Sequence, residues 1–481
     1  MRMFLRAIGS SIAIALLFSL AGCASESATN PVPANRNVVA SPSPSVASSP
    51  VSASRTGANL SPLTLPILDA FFAGDESFAA ELKTRLQLTD EQVERLRATA
   101  REETSKLRET DSDQQYGGTT AAARQLADEK IKAIIGEEKS EQLAALVRER
   151  WSGGGDADSA SASNQENGAR TAAAKPNAVP ADTRIVVNAP AYRMDIFQDG
   201  QLVKSYRIGI GYPEFPLPAG LRKASQIIFN PTWTPPDSPW VEASHQGVKP
   251  GEKVAAGSKL NPLGLLKIPI GLPSLIHGGK AASKIGGFAS HGCVGLTDSQ
   301  ARDFAKRLAQ TSGTELTDEQ IKSYEQNRSE TRTVSLKQTV PVELRYETLV
   351  VEDGKLHIYR DVYDRDTNTL EHLKALLSAY GVTFEQLSEA EREQITDALQ
   401  EMSRDASGRL DQPGRSAKNE NKRADEQSAR VTRTVKGKKE IVIEIAALAG
   451  KGYPAPVNLE TGGAPPKSAP GSSGKRSGRG R

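Results

Sequence analysis

Residues 183–211 read TRIVVNAPAYRMDIFQDGQLVKSYRIGIG, and this segment indicates the fold class of the largest domain. Apolar and polar residues alternate along two runs, which is the period-two pattern of half-buried β-strands. Asp199-Gly200 separates the runs, and this dipeptide favours a two-residue hairpin turn. A similar pair of runs, VPVELRYETLVVEDGKLHIYRDVY at 340–363, carries Asp353-Gly354 at its turn. We therefore predict one mainly β domain over residues 183–365.

Helical periodicity flanks this domain on both sides. Residues 59–151 and 366–403 space their apolar side chains three and four apart, as one face of an amphipathic helix does. The letters LTDEQ at 88–92 resemble an element of small helical envelope chaperones, but they recur at 316–320 and also fit a plain helix N-cap. The recurrence favours the helix-start interpretation. The predicted fold class is multidomain α+β, a mainly β domain with helical N-terminal and C-terminal flanks.

The N-terminal residues 1–23 have the features of an export signal. Arg2 and Arg6 precede an apolar run that is too short to span a bilayer stably, and the run ends in the small-residue sequence LAGC. This ending resembles a bacterial lipobox, which implies that Cys23 becomes the lipidated first residue of the mature protein. The alternative is an ordinary secretory signal cut near the same place. Both interpretations predict a protein outside the cytoplasm, and the lipobox predicts one anchored to a membrane.

Three segments are too poor in apolar residues to form a core. Residues 24–58 predict a disordered tether and residues 152–182 a second linker, because both are rich in Ser, Ala, Asn and Pro or Gly. Residues 404–481 predict a mostly disordered region with one strand-like segment, KKEIVIEIAAL, and a basic tail. The 61 basic and 58 acidic residues of the chain give a net charge of only +3, so the overall charge does not indicate a nucleic-acid partner.

Cys293 lies in GGFASHGCVGLTD, residues 286–298, and is one of only two cysteines in the chain. If Cys23 carries a lipid, Cys293 has no disulfide partner in its own chain. A lone thiol in an oxidising compartment is either buried or used for its reactivity. His277 and His291, two of the five histidines, lie close to it in sequence.

The residues around Cys293 suit a nucleophile, which needs a base, donors for an oxyanion and a field that favours the thiolate. Either histidine is a candidate base, and Gly292 permits a tight turn of the backbone. Thr297 and Gln300 form a capping box, so a helix N-terminus would follow and would favour a thiolate directed toward it. Three alternatives remain: a buried structural cysteine, a zinc site formed by Cys293 with both histidines, and structural histidines.

The letters IHGG at 276–279 followed by SHGC at 290–293 resemble the signature of the L,D-transpeptidase (YkuD) family. The resemblance extends over most of residues 183–365 and does not reach the helical flanks. It implies a β-rich sandwich or barrel that carries small helices.

The resemblance also implies a role for each residue of the motif. Cys293 would be the nucleophile and His277 its base, oriented through the backbone carbonyl of Gly278. The N–H groups of Gly292 and Cys293 would form the oxyanion hole. Two further residues would shape the site: Ser290 and His291. Many family members have Arg or Asn two residues after the cysteine, whereas this chain has Gly295, so that contribution is missing or supplied elsewhere.

The activity implied is acyl transfer on peptidoglycan stem peptides, through a thioester on Cys293 that expels a terminal D-amino acid and then forms a crosslink. No metal or cofactor is implied, and a carbapenem would acylate the same thiol. Hydrolysis of the thioester, exchange, or attachment of a lipoprotein to the wall are alternatives within the same chemistry. A non-catalytic, chaperone-like or wall-binding envelope protein is an alternative from another class. The implied location is the periplasm, with the lipid on Cys23 anchored in the outer membrane.

Overall fold

A computed structural model describes residues 63–106, 120–151, 176–238, 241, 247–271, 274–406, 408 and 434–462. All of them belong to one compact unit, Arg55–Arg481. The expected signal at 1–23, the tether at 24–58, the lipidation site Cys23 and the basic tail lie outside the described residues, as does most of the linker at 152–182.

The described part of the N-terminal flank is helical. Its helices are α1 (Leu65–Gly74), α2 (Glu76–Arg85), α3 (Asp90–Ser105), α4 (Thr120–Ile135) and α5 (Glu137–Trp151). They enclose an apolar core that includes Phe78, Leu82, Leu96 and Leu143. The LTDEQ letters begin α3, where Thr89 and Gln92 form the expected capping box. None of the described helices is long and apolar enough to cross a membrane.

The mainly β domain is built on a mixed sheet of eight strands in the order β3-β2-β1-β10-β5-β6-β7-β9. The strands are β1 (Arg184–Asn188), β2 (Arg193–Gln198), β3 (Gln201–Arg207), β5 (Gly220–Phe229), β6 (Leu266–Pro269), β7 (Leu275–His277), β9 (Val294–Gly295) and β10 (Arg332–Arg345). β2 and β3 form the predicted hairpin, with Asp199 and Gly200 both at positive φ. The prediction of a β-rich domain with helical flanks is confirmed.

Short strands and two helices complete this domain. β4 (Ile210–Gly211) pairs in parallel with β8 (Phe288–Ser290) in a separate two-stranded sheet. α6 (Asp298–Thr311) and α7 (Asp318–Gln326) follow β9, and both begin with the capping box that their Thr and Gln predict. Phe304 and Leu308 of α6 pack into the main core.

The hairpin with Asp353-Gly354 at its turn is present, but it does not join the main sheet. Its strands β11 (Leu349–Glu352) and β12 (Lys355–Tyr359) pair with β13 (Glu440–Glu444), which is the strand-like segment of the C-terminal region. One face of this small sheet packs on α8 (Leu370–Ala379) and α9 (Glu389–Met402), because Val351, Leu356 and Ile358 share a core with both helices. The hairpin is therefore shared between the two parts: one face packs on the C-terminal helices, and Val350 and Tyr359 pack with Val186 and Phe197 of the main sheet.

Candidate active site

The pairing of β7 with β9 positions the cysteine and the histidine. These strands are parallel, with Ile276 opposite Val294 and His277 opposite Gly295. Side chains two residues apart on a strand lie on the same face. Cys293, two residues before Gly295, therefore lies on the same face as His277, two residues further toward the N-terminal ends of the two strands. A backbone hydrogen bond to its thiol from Leu275, two residues before His277, fits this placement.

His277 is buried, and its tautomer is set by the backbone. Its Nδ1 lies 2.8 Å from the carbonyl oxygen of Gly278, so Nδ1 carries the proton and donates to that oxygen. Burial lowers the pKa of His277 to about 3, and the positive charge of Lys280 acts in the same direction. The imidazole is therefore neutral at physiological pH, and its Nε2 has the lone pair that a general base needs.

Cys293 is a free cysteine whose residue is partly exposed, while its thiol group lies in an environment that disfavours the thiolate. Burial raises its pKa above the ordinary value; the Leu275 backbone hydrogen bond and the charge of Lys280 lower it by less. The directions of the two pKa shifts therefore favour a neutral thiol and a neutral imidazole over a thiolate and an imidazolium.

Ser290 closes the turn that presents Cys293. Its Oγ accepts from the Cys293 N–H at 2.9 Å and donates to the Cys293 carbonyl oxygen at 2.6 Å. Gly292 has a φ of +92°, which favours glycine, and its carbonyl oxygen accepts from Ser274 Oγ at 2.8 Å. The Cys293 N–H, expected as an oxyanion donor, is therefore engaged by Ser290 here.

His291 lies against two aromatic rings. Its ring centroid is 4.7 Å from that of Phe215 and 5.2 Å from that of Tyr212, both nearly perpendicular to it. Such edge-to-face contacts fix the position of the loop. Within the described residues, no group of three or more His, Cys, Asp and Glu could hold a metal ion, so the zinc alternative has no ligand cluster there.

Asp298 is a residue that the sequence analysis did not identify as part of the site. Its Oδ1 accepts from the Leu265 N–H at 2.8 Å and from the Gly279 N–H at 2.9 Å. A Cβ added at Gly264 would lie 2.2 Å from the nitrogen of Gly279, so only glycine fits there. Asp298 thereby joins the turn after His277 to a neighbouring loop. Its position directly after Thr297 predicts only a helix start, and no sequence signal distinguishes it as part of the site.

Lys280 occupies the space beside Gly295. A Cβ added at Gly295 would lie 2.9 Å from Cγ of Lys280 and 3.3 Å from its Cε. The backbone of Lys280 is fixed as well, because its N–H donates to the Leu296 carbonyl oxygen at 3.0 Å. The side chain of Lys280 therefore lies across the position that follows the cysteine by two residues.

The helical N-terminal domain contacts the loop that packs on this site. Thr64 Oγ1 donates to the Glu214 carbonyl oxygen and Thr120 Oγ1 to the Pro213 carbonyl oxygen, each at 2.8 Å. The next residue, Phe215, packs on His291. Residues 213–215 thus form one connection between the helical domain and the cysteine loop.

A cysteine and a neutral histidine on neighbouring strands, oriented by backbone contacts, form an arrangement typical of thiol-dependent acyl-transfer enzymes. Residues 182–334 match the model of the YkuD family, the L,D-transpeptidase catalytic domain. This segment of the chain is therefore a YkuD domain, as its two His-Gly motifs indicate. No curated protein matches the chain.

Several solved structures are similar to part of this chain. The catalytic domain of an Enterococcus faecium L,D-transpeptidase is 17% identical over 35% of this chain and 100% of that one, with a TM-score of 0.23. A mutant L,D-transpeptidase from the same organism is 17% identical, covering 34% and 50%, with a TM-score of 0.22. An L,D-transpeptidase from Mycobacterium smegmatis is 16% identical, covering 34% and 59%, with a TM-score of 0.22. The chain thus spans 50% and 59% of the length of the last two.

Proposed function

We propose that this protein crosslinks peptidoglycan as an L,D-transpeptidase, with Cys293 as the nucleophile and His277 as its base. The match of residues 182–334 to the YkuD family supports the reaction class. The pairing of His277 with Gly295 is the observation that carries the mechanism, because it places His277 and Cys293 on the same face of two adjacent strands. The substrates are peptidoglycan stem peptides, and the reaction uses no metal or cofactor.

The first half-reaction acylates the enzyme. The thiol proton of Cys293 passes to Nε2 of His277 as the sulfur attacks the carbonyl carbon of the third stem residue. The C–S bond forms, the C–N bond to the terminal D-amino acid breaks, and the proton on His277 passes to the departing nitrogen. The products are a thioester on Cys293 and a free D-amino acid.

The second half-reaction transfers the acyl group. An amine on a neighbouring stem attacks the thioester, the new C–N bond forms and the C–S bond breaks. One proton of the attacking amine passes through His277 to the sulfur, which restores the thiol. The product is a 3→3 crosslink between two stems.

The neutral state of both groups supports a coupled proton transfer. A raised thiol pKa together with a lowered histidine pKa disfavours a thiolate–imidazolium ion pair in the absence of substrate. The thiol is then activated only when a substrate carbonyl is in place to receive the sulfur. This protects a lone cysteine from oxidation, which proceeds through the thiolate.

The envelope is the proposed location, and its support is the N-terminal sequence. A lipid on Cys23 would anchor the chain in the outer membrane, and residues 24–58 would hold the folded part away from the bilayer. The wall would then lie within reach of the YkuD domain.

Two sequence features favour the non-catalytic alternative, the LTDEQ letters and Gly295, and the structure offers another explanation for each. Capping boxes account for those letters at both places where they occur, since Thr89 and Thr317 each cap a helix. Lys280 fills the space beside Gly295, so a side chain is present where the sequence has none.

The test uses the full mature chain and purified disaccharide-tetrapeptides, with products identified by mass spectrometry. We expect 3→3 dimers and free D-amino acid, none with Cys293→Ala, and a loss of about 10²–10⁴-fold with His277→Gln. Tripeptide monomers without dimers would identify a hydrolase instead. Dimers that persist with Cys293→Ala, or no reaction with the wild type, would refute the proposal. A carbapenem is expected to add covalently to Cys293 in the wild type alone.

A further inference from the structure

The strongest unassigned feature of the site is Lys280. It is the third residue after His277, and its backbone continues the contact between β7 and β9 because its N–H donates to the Leu296 carbonyl oxygen. The methylene groups of its side chain cross Gly295 at 2.9–3.5 Å from a Cβ built there. Any residue larger than glycine at 295 would displace the methylene chain. The sequence thus leaves room for this lysine beside the nucleophile.

The charge of Lys280 reaches both reacting groups. Its positive charge acts to lower the pKa of Cys293, against the larger effect of burial, and that of His277. The Cε of Lys280 lies 3.3 Å from a Cβ built at Gly295, on the face of the strands that carries Cys293 and His277, so the ammonium group lies within reach of a group one residue away from the carbonyl that Cys293 attacks. The terminal D-amino acid of a stem peptide carries a free carboxylate at that distance, one residue beyond the bond that breaks.

We propose that Lys280 is a specificity-determining residue that binds the free α-carboxylate of the departing D-amino acid. The inference rests on the proposed function, because it assigns the donor side of that reaction. The ammonium group orients the donor so that the scissile carbonyl lies at Cys293, and Gly295 provides the space for the lysine. The site thereby selects donors that end in a carboxylate over donors that are extended or amidated at that end.

Two donors and three variants test this assignment in the full chain. The donors are a stem tetrapeptide with a free C-terminal carboxylate and the same peptide ending in an amide. The variants are Lys280→Met, which keeps most of the length of the side chain without its charge, Lys280→Arg, which keeps the charge, and Lys284→Met as a matched control in the same loop. The readout is kcat/KM for release of the terminal residue, with thermal melting to show that each variant is folded.

We expect the wild type to prefer the carboxylate donor by about 10- to 100-fold, since a charge-assisted contact of this kind contributes about 1.5–3 kcal/mol. Lys280→Met should abolish this preference, mainly through KM for the carboxylate donor, while Lys280→Arg retains most of it and Lys284→Met all of it. A general effect on the thiol would slow both donors equally, and that result would overturn the assignment. So would an unchanged preference.

The failure of this inference differs from that of the proposed function. If the wild type releases no terminal residue from either donor, the acyl-transfer proposal fails and the role of Lys280 fails with it. If release is normal but the ratio between donors does not depend on Lys280, only this inference is wrong. If Lys280→Met does not fold, Lys280→Gln replaces it in the same comparison.

Discussion

Replacing Asp298 tests whether the turn after His277 depends on one carboxylate. Asp298→Ala removes the acceptor of two backbone N–H groups, those of Leu265 and Gly279. Asp318 is a matched control, because it occupies the same first position of a helix, after the same Leu-Thr capping sequence, and is mostly exposed. The two variants therefore share the loss of a favourable charge at a helix N-terminus.

The expected loss of unfolding free energy depends on what replaces the carboxylate as the hydrogen-bond partner of each N–H group. Leu265 is buried, so its N–H would be left unsatisfied at a cost of about 1–3 kcal/mol. Gly279 is exposed and its N–H can bind water, which limits that loss to about 0.5–1 kcal/mol. Together with the helix-dipole effect, Asp298→Ala should cost about 2–4 kcal/mol, or about 5–12 °C in Tm. Asp318→Ala should cost about 1 kcal/mol or less.

The assay combines thermal melting with the rate of carbapenem addition, measured by intact-protein mass spectrometry well below the lowest Tm. Asp298→Ala should slow addition about tenfold or more, because the Gly278–Gly279 turn that orients His277 is no longer held. Asp298→Asn keeps an acceptor oxygen and should recover most of both properties. If Asp298→Ala melts with Asp318→Ala, or reacts at the wild-type rate, Asp298 does not position the site.

Two pH dependences complete the set of predictions. Since the pKa of His277 is about 3 and that of Cys293 is raised, alkylation of Cys293 by iodoacetamide should rise about tenfold per pH unit from pH 6 to 8, and a plateau above pH 6.5 would show an ion pair instead. Burial raises the pKa of Asp69, which accepts from Ser238, to about 6. Protonated Asp69 therefore contributes to the free energy of unfolding in full below about pH 4. This contribution, about 3 kcal/mol in total, is lost as the pH rises through 6. Asp69→Asn should remove this dependence in melting experiments from pH 4.5 to 7.5, and equal pH profiles of the two proteins would contradict it.

Local patterns in the sequence predict the elements that depend on neighbouring residues. The hairpin at Asp199-Gly200 and the capping box at Thr297 need only a few adjacent residues, and both are present. The sequence does not predict which sheet the second hairpin joins, because the alternation of apolar residues around Val351 and Leu356 is compatible with either sheet. Its pairing with Glu440–Glu444 depends on a segment some 80 residues away.

The residues of the candidate site also fall into two groups, those that local sequence patterns predict and those that depend on the folded structure. The two His-Gly motifs indicate Cys293 and His277 because the reactive residue of each motif and the residues that identify it are adjacent in the sequence. Asp298 and Lys280 act through contacts across strands and loops, at 2.8 Å to Leu265 and against Gly295. The engagement of the Cys293 N–H by Ser290 also depends on the folded turn, which sequence spacing does not specify.

The central claim is that Cys293 forms a thioester with a stem peptide. The most direct measurement mixes the full mature chain with a stem tetrapeptide, quenches it in acid and maps the adduct by peptide mass spectrometry. A tripeptide acyl group on the peptide that contains Cys293, together with one free terminal D-amino acid for each adduct, is the predicted result. An adduct at another residue, or D-amino acid released at the same rate by Cys293→Ala, would contradict the claim.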